Sequence, residues 1–328
     1  MIRHNRFVIA IIGGLAAALL HASVVTLTPL SALLFYLAPL PLFIVGLSFG
    51  WLPAAMSAAI GGGVLSGLWG VKTGAFFLIA SAAGPVILTR LALINRPATA
   101  GGNEGEASDG RLLWYPEGRL LLWAAGLAGA LLTLVILIMG PDAESFRAQL
   151  KTISEKFATA LLTELPAQQQ QGLAQFIDFL VMLAPMASAA AWLVAMTVNL
   201  LLASRLLKAW GMAIRPWAPF SSLKFPRLSA VALAGACALS LMPGTAGLIG
   251  SVYAAPLCTA FAILGLAVLH FLLLGHSARV PILAGLYGVL ILLSWIVMVP
   301  LIALGLAELG WNLRARLRPL PPNNRNIQ

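Results

Sequence analysis

Eight apolar stretches of roughly bilayer length follow one another along this chain, at about 7–27, 31–49, 52–70, 74–94, 119–139, 173–204, 246–274 and 281–308. No feature constrains the fold more. Each stretch is close to the roughly 20 helical residues that cross about 30 Å of hydrocarbon. Backbone in lipid must satisfy its own hydrogen bonds, and no alternating ten-residue pattern of a barrel is present, so the spanning segments are helices. Charged residues make up only 9% of the 328 residues against 60% hydrophobic, with a mean hydropathy of +0.96, far above what a water-soluble core requires. The expected fold is therefore all-α, a polytopic transmembrane helical bundle of about eight spanning helices, in permanent contact with the lipid bilayer. A shorter apolar run at 228–242 is expected to be a ninth helix that is short, re-entrant or interfacial.

Pro and Gly at Pro29, Pro53, Gly74, Pro141, Pro243, Gly244 and Pro281 fall where these helices start, kink or stop. Arg3, His4 and Arg6 ahead of the first run resemble the start of a signal peptide. The residues after that run lead straight into further apolar segments, so the first helix is expected to be retained.

Two segments leave the membrane. Residues 95–118 are Gly-rich and polar and read as a flexible cytoplasmic loop between an N-terminal half, 1–94, and a C-terminal half, 119–328. Residues 142–165 differ: Phe146, Leu150, Ile153, Phe157, Leu161 and Leu165 recur at helical spacing among Glu144, Arg147, Lys151, Glu155 and Lys156. That pattern predicts an external amphipathic helix on the membrane or over a cavity. Gln168–Gln171 then reads as the hinge into the next span.

The net charge of +10 serves orientation; no nucleic-acid partner is expected, because the basic residues cluster between apolar runs. Arg3 and Arg6 place the N-terminus in the cytoplasm of a bacterial inner membrane, multi-pass. Arg90, Arg96, Arg111 and Arg119, then Arg205, Lys208, Arg215, Lys224 and Arg227, fall on the same side by parity. Arg314, Arg316 and Arg318 require an even number of crossings to join them.

Polar groups inside a bilayer are functional candidates because desolvating them is costly. Asp178, His21, Tyr253 and Asn199 are the candidate ligand contacts, with Lys72, His270, Tyr287 and Glu308 as further polar residues in or beside apolar runs. Asp178 is the leading candidate for a substrate or cation, being the acid near an expected outer cavity. Glu308, just ahead of GWNLRARL, is expected to pair with a nearby arginine. No HExxH, GxSxG or diphosphate-binding acidic motif is present, so catalytic residues, metal ligands and cofactors are all expected to be none. Cys237 and Cys258 lie in apolar runs without a CxxC or His neighbour.

The first helix carries a different signal. Ala10, Gly14, Ala18 and Ala22 are spaced by four and form one narrow stripe, the surface through which apolar helices approach closely in lipid. It packs either inside the bundle or against a partner helix.

The stretches GLAVLHFLLLGHSARVPILAGLYGVLILL, 265–293, and LGLAELGWNLRARL, 304–317, resemble the C-terminal part of the YybS-like family of bacterial membrane proteins. Glu308 stands where many members carry Asp. APLPLFIVGLSFGWLPAAMSAAIGGG, 38–63, is similar to that family and to the S-components of energy-coupling-factor vitamin transporters. The resemblance implies an S-component-like bundle with a small molecule in an outward cavity. It also implies a small-residue face on the first helix that docks a transmembrane subunit; Ala10, Gly14, Ala18 and Ala22 match that face, with Gly at one position. The function expected on this basis is non-enzymatic: a transport-related protein that binds a small or amphiphilic molecule and works with transmembrane or ATPase transporter subunits. The competing expectations are a membrane scaffold or assembly factor and a lipid-handling protein.

Overall fold

A computed structural model describes residues 6–26, 28–97, 112–140, 142–162 and 167–317. The fold is all-α. Its helices are α1 (Arg6–Ala22), α2 (Pro29–Tyr36), α3 (Pro39–Phe49), α4 (Trp51–Trp69), α5 (Val71–Phe77), α6 (Ala83–Ala92), α7 (Glu117–Met139), α8 (Ala143–Leu162), α9 (Ala167–Ala209), α10 (Leu228–Ser240), α11 (Gly244–Leu272), α12 (Arg279–Leu292), α13 (Ser294–Trp311) and α14 (Leu313–Leu317). Among the described residues the strands are β1 (Asn95–Pro97) and β2 (Leu112–Trp114), an antiparallel pair at the root of the Gly-rich loop. Residues 98–111 of that loop, and residues 163–166 at the end of the amphipathic segment, lie outside the described residues.

Seven helical stretches among the described residues are long and apolar enough to cross a membrane, and they coincide with the first seven runs read from the sequence. The eighth does not hold as one span. The run 281–308 is divided at Leu293, whose backbone (φ −134°, ψ 48°) leaves the helix, giving α12 and α13 in its place. The 228–242 run is the short helix α10, as expected. The hinge expected at Gln168–Gln171 is instead helical, within the first turns of α9.

The chain forms two compact units, residues 1–124 with 194–218, and residues 125–193 with 219–328. In the first, α1 lies against α4 through the small residues of both helices. A Cβ on Gly14 would meet the Ser57 carbonyl at 2.4 Å, and one on Gly61 the Gly14 carbonyl at 2.8 Å. Ala17, Ala18, Leu42, Ala58, Leu65, Phe77 and Ala82 close the core of this unit. Between α5 and α6 the helix widens into a π turn at Leu78–Ala82. Pro85, four residues after Ser81, has no N–H to give to the Ser81 carbonyl, which loosens the ladder at that point.

In the second unit, α8 packs by one edge. Ala143 and Phe146 are buried with Ile136, Ala189, Leu248 and Val252, and Thr245 accepts the Ala143 N–H at 3.1 Å. Ile153 is exposed, so the amphipathic helix covers its neighbours only in part. Asp142 caps the helix: its carboxylate accepts the Ser145 N–H at 2.7 Å, and its carbonyl accepts from Phe146. That bond holds the Asp142 carboxyl below the usual aspartate range. The cap is therefore complete above the ordinary aspartate pKa and is withdrawn as pH falls through the lowered value. The protection factor of the Ser145 amide should fall on acidification, and Asp142→Ala should show the lower protection already at neutral pH, with no further pH step.

α11 is met along its length by α10 and α13. A Cβ on Gly250 would fall 2.3 Å from the Ser240 nitrogen, and one on Gly265 would fall 1.9 Å from the Leu301 carbonyl. Ahead of α10, Phe225 packs edge-on to Phe261 and Phe220 edge-on to His270, so the segment before α10 follows α11 to its C-terminal end.

Candidate functional site

Among the polar side chains buried in the first unit, His21 and Asn199 both meet α2. His21, at the last turn of α1, is 3% exposed, and its Nδ1 lies 2.9 Å from the Ser81 hydroxyl. The π turn places Ser81 there; unlike Ser57 and Thr89, which donate back to carbonyls four residues earlier, Ser81 turns its hydroxyl to another helix. Three phenylalanines enclose the imidazole: Phe35 at 4.9 Å, Phe77 at 5.2 Å and Phe76 at 5.6 Å between ring centres. Phe35 touches the ring of Tyr36, and the Tyr36 carbonyl accepts from Asn199 Nδ2 at 2.8 Å. The same amide donates to Ala195 at 2.7 Å, which fixes its orientation, and leaves Asn199 Oδ1 buried without a donor. His21 and Asn199, 178 positions apart in sequence, thus both meet α2's last turn, His21 at the Phe35 ring and Asn199 at the Tyr36 carbonyl.

The other two candidate contacts lie in the second unit and have different surroundings. Asp178 is exposed and pairs with Lys151 of α8 at 3.6 Å, a contact of the kind that contributes little in water. Tyr253 is half-buried on α11, its ring against the bare backbone of Gly129. The stripe on α1 is not an open face: Ala10, Gly14 and Ala18 are buried within their own unit, and Ala22 packs against its core.

Two buried guanidinium groups escaped the sequence reading as sites, although Glu308 was expected to find an arginine. Arg215, beyond α9, donates to the carbonyls of Ala92 (2.8 Å) and Tyr115 (3.1 Å) and to Glu117, with the Trp217 ring 4.2 Å away. Burial lowers the Arg215 pKa, and the Glu117 carboxylate opposes that shift. In the second unit Arg314 donates from Nε to Glu308 at 2.9 Å and from its two terminal nitrogens to the Ser221 and Leu223 carbonyls at 2.6 Å each. Both arginines tie a helix end to a loop, a structural task. Among the described residues no three His, Cys, Asp or Glu side chains gather into a metal site.

Spanning helices packed through glycine, with polar groups either enclosed or clamped at helix ends, define a polytopic α-helical integral membrane protein. The chain belongs to the family described as predicted membrane protein (DUF2232), which matches residues 117–309. The match takes in α7 to α13 and stops short of His21 and the α1 stripe. No curated protein and no solved structure matches the chain.

Proposed function

We propose that this is a non-enzymatic, transport-related protein of the bacterial inner membrane. It is S-component-like in holding a small or amphiphilic molecule and in working with transmembrane or ATPase partner subunits, as the YybS-like resemblance implies. The observation that carries the reading is Asn199 Oδ1, an acceptor buried without a donor on the amide that holds the Tyr36 carbonyl, next in sequence to Phe35 of the His21 enclosure. Leaving such an atom unpaired costs about 1–3 kcal/mol, a cost recovered when a ligand N–H or O–H arrives. The ligand class is therefore a compact molecule with an apolar body and a hydrogen-bond donor. Asp178 and Tyr253 are secondary candidates, for a contact in the other unit.

The orientation follows from parity. α1, α2–α3, α4, α5–α6, α7 and α9 make six crossings, and α10–α11 and α12–α13 each go out and return. Arg6, Arg90, the Arg205 to Arg227 cluster, Arg279, Arg314 and Arg316 then share the cytoplasmic side, while α8 with Arg147 and Lys151 lies outside.

A thermal-shift screen of the purified chain against metabolites and membrane lipids should find a stabilising compound whose effect is lost in Asn199→Leu. If nothing shifts the protein and no ATPase subunit co-purifies from native membranes, the reading is abandoned. A scaffold role is the second reading, and one observation favours it: Ala59, Gly63 and Gly67 form a second small-residue line on α4 that is exposed, with open space beside both glycines. It expects Gly63→Leu to break a complex with another integral protein while the chain itself still folds.

A further inference from the structure

The end of the second unit where α11 passes into α12 gathers cationic and hydrogen-bonding groups with almost no acid to meet them. Arg314 lies there, on the carbonyls of Ser221 and Leu223, and so do Lys224, His276, Arg279 and Arg316. Glu308 is the acid among them, and Arg314 engages it. Arg279 is half-buried at the first position of α12 and makes no ion pair among the described residues. One helix over, His270 Nε2 and the Tyr287 hydroxyl are 3.0 Å apart, with Phe220 edge-on at 5.3 Å closing the far side of the imidazole. Tyr287 is 38% exposed, so this polar pair opens outward from a helix that otherwise shows hydrocarbon.

α12 itself has the surface of a helix that lipid covers. None of its residues is buried. Val280, Ile282, Val289, Ile291 and Leu292 are exposed, and nothing stands within 4 Å of a Cβ placed on Gly285 or Gly288. At about 1.5 Å per residue its 14 residues extend roughly 21 Å, short of the hydrocarbon thickness, before the chain turns back at Leu293.

We propose that His270, Tyr287 and Arg279 form a binding site for the phosphate headgroup of an anionic phospholipid, whose acyl chain runs along the bare strip of α12 at Gly285 and Gly288. Charge selects the occupant: Arg279, without an ion pair among the described residues and about two turns before Tyr287 on α12, supplies guanidinium donors for phosphate oxygens in addition to the hydroxyl and the imidazole, and the surrounding basic residues favour an anionic headgroup over a zwitterionic one. The site lies wholly in the second unit and does not rest on the ligand proposed for the first.

The test uses the full chain in nanodiscs, with lipid binding read by native mass spectrometry and by thermal shift. Phosphatidylglycerol should bind at one tight site and stabilise the protein more than phosphatidylcholine does. Arg279→Gln should weaken that site about fivefold, as expected for one basic residue near an anionic surface. Arg279→Lys should retain most of the affinity, Tyr287→Phe should weaken it, and Lys72→Gln, in the other unit, should leave it unchanged. Equal binding of the two lipids, or equal affinity in Arg279→Gln and Lys72→Gln, overturns the proposal. So does displacement of the lipid by millimolar inorganic phosphate, which would make the site one for a soluble anion.

Discussion

Arg314→Met alone should destabilise the protein by about 3–5 kcal/mol, the range for leaving one member of a buried ion pair without its partner. Arg314 and Glu308 are 7% and 8% exposed, and the pair is only part of what is lost. Glu308 accepts the Arg314 backbone N–H on Oε2 at 3.0 Å as well as Nε on Oε1, so the carboxylate also caps the turn into α14. The guanidinium additionally satisfies the carbonyls of Ser221 and Leu223, and its face lies 6.0 Å from the Phe271 ring. Removing the arginine strands a buried carboxylate and two carbonyls together. Glu308→Leu combined with Arg314→Met should recover part of the loss, because an apolar pair leaves no uncompensated charge. Recovery stays incomplete, since the two loop carbonyls remain without donors. SDS-titrated unfolding in mixed micelles measures the cycle, and strictly additive single and double variants would refute the coupling.

What was legible in the sequence was whatever a local window carries. Seven of the eight apolar runs are spanning helices because continuous hydropathy over 20 residues needs no knowledge of neighbours. The break at Leu293 has no such signal. LILLSWIV holds no Gly or Pro, and a single Ser294 does not interrupt an apolar run; the return of the chain there follows from α13 packing back on α11 at Gly265 and Gly305. The same division applies to the polar residues. His21 and Asn199 could be named because a polar atom in an apolar run is conspicuous. That His21 meets Ser81, 60 positions away, depends on a π turn whose one trace in the sequence is Pro85.

Asp178 could be placed one turn inside an apolar run, as the acid near an expected outer cavity, but its partner could not: α9 begins at Ala167 and α8 brings Lys151 beside it, so the carboxylate is exposed and paired. Periodicity likewise marked Ala10, Gly14 and Ala18 as a packing face without saying what packs there; α4 supplies the answer through Ser57 and Gly61. Arg215 was indistinguishable from the orientation-setting charges around it. Its partners, Ala92, Tyr115 and Glu117, lie about a hundred positions away, and only the fold brings them within reach.

Gly265→Ala and Gly305→Ala should each cost about 1–3 kcal/mol, and leucine at either position more, because the added carbon meets backbone. The Cβ on Gly265 would stand 1.9 Å from the Leu301 carbonyl oxygen, and that on Gly305 2.3 Å from the Phe261 carbonyl oxygen. A side chain could rotate away from such a contact; a helix carbonyl cannot. To reach an ordinary contact distance α13 must withdraw from α11 by about 1.5 Å. In lipid this approach is a principal source of helix association, since apolar side chains gain little by leaving one hydrocarbon phase for another. The withdrawal also carries the end of α13 away from Ser221 and Leu223, so Gly265→Ala with Arg314→Met should lose less than the sum of the two. Gly126→Ala is the matched control. It lies inside α7 with nothing within 4 Å of the new carbon, and it should be neutral or gain up to about 1 kcal/mol from the better helix propensity of alanine. Opposite signs for Gly265→Ala and Gly126→Ala in the same SDS titration are the expected result. Equal signs would mean that the α11–α13 crossing yields without cost, and the glycines there would then need another explanation.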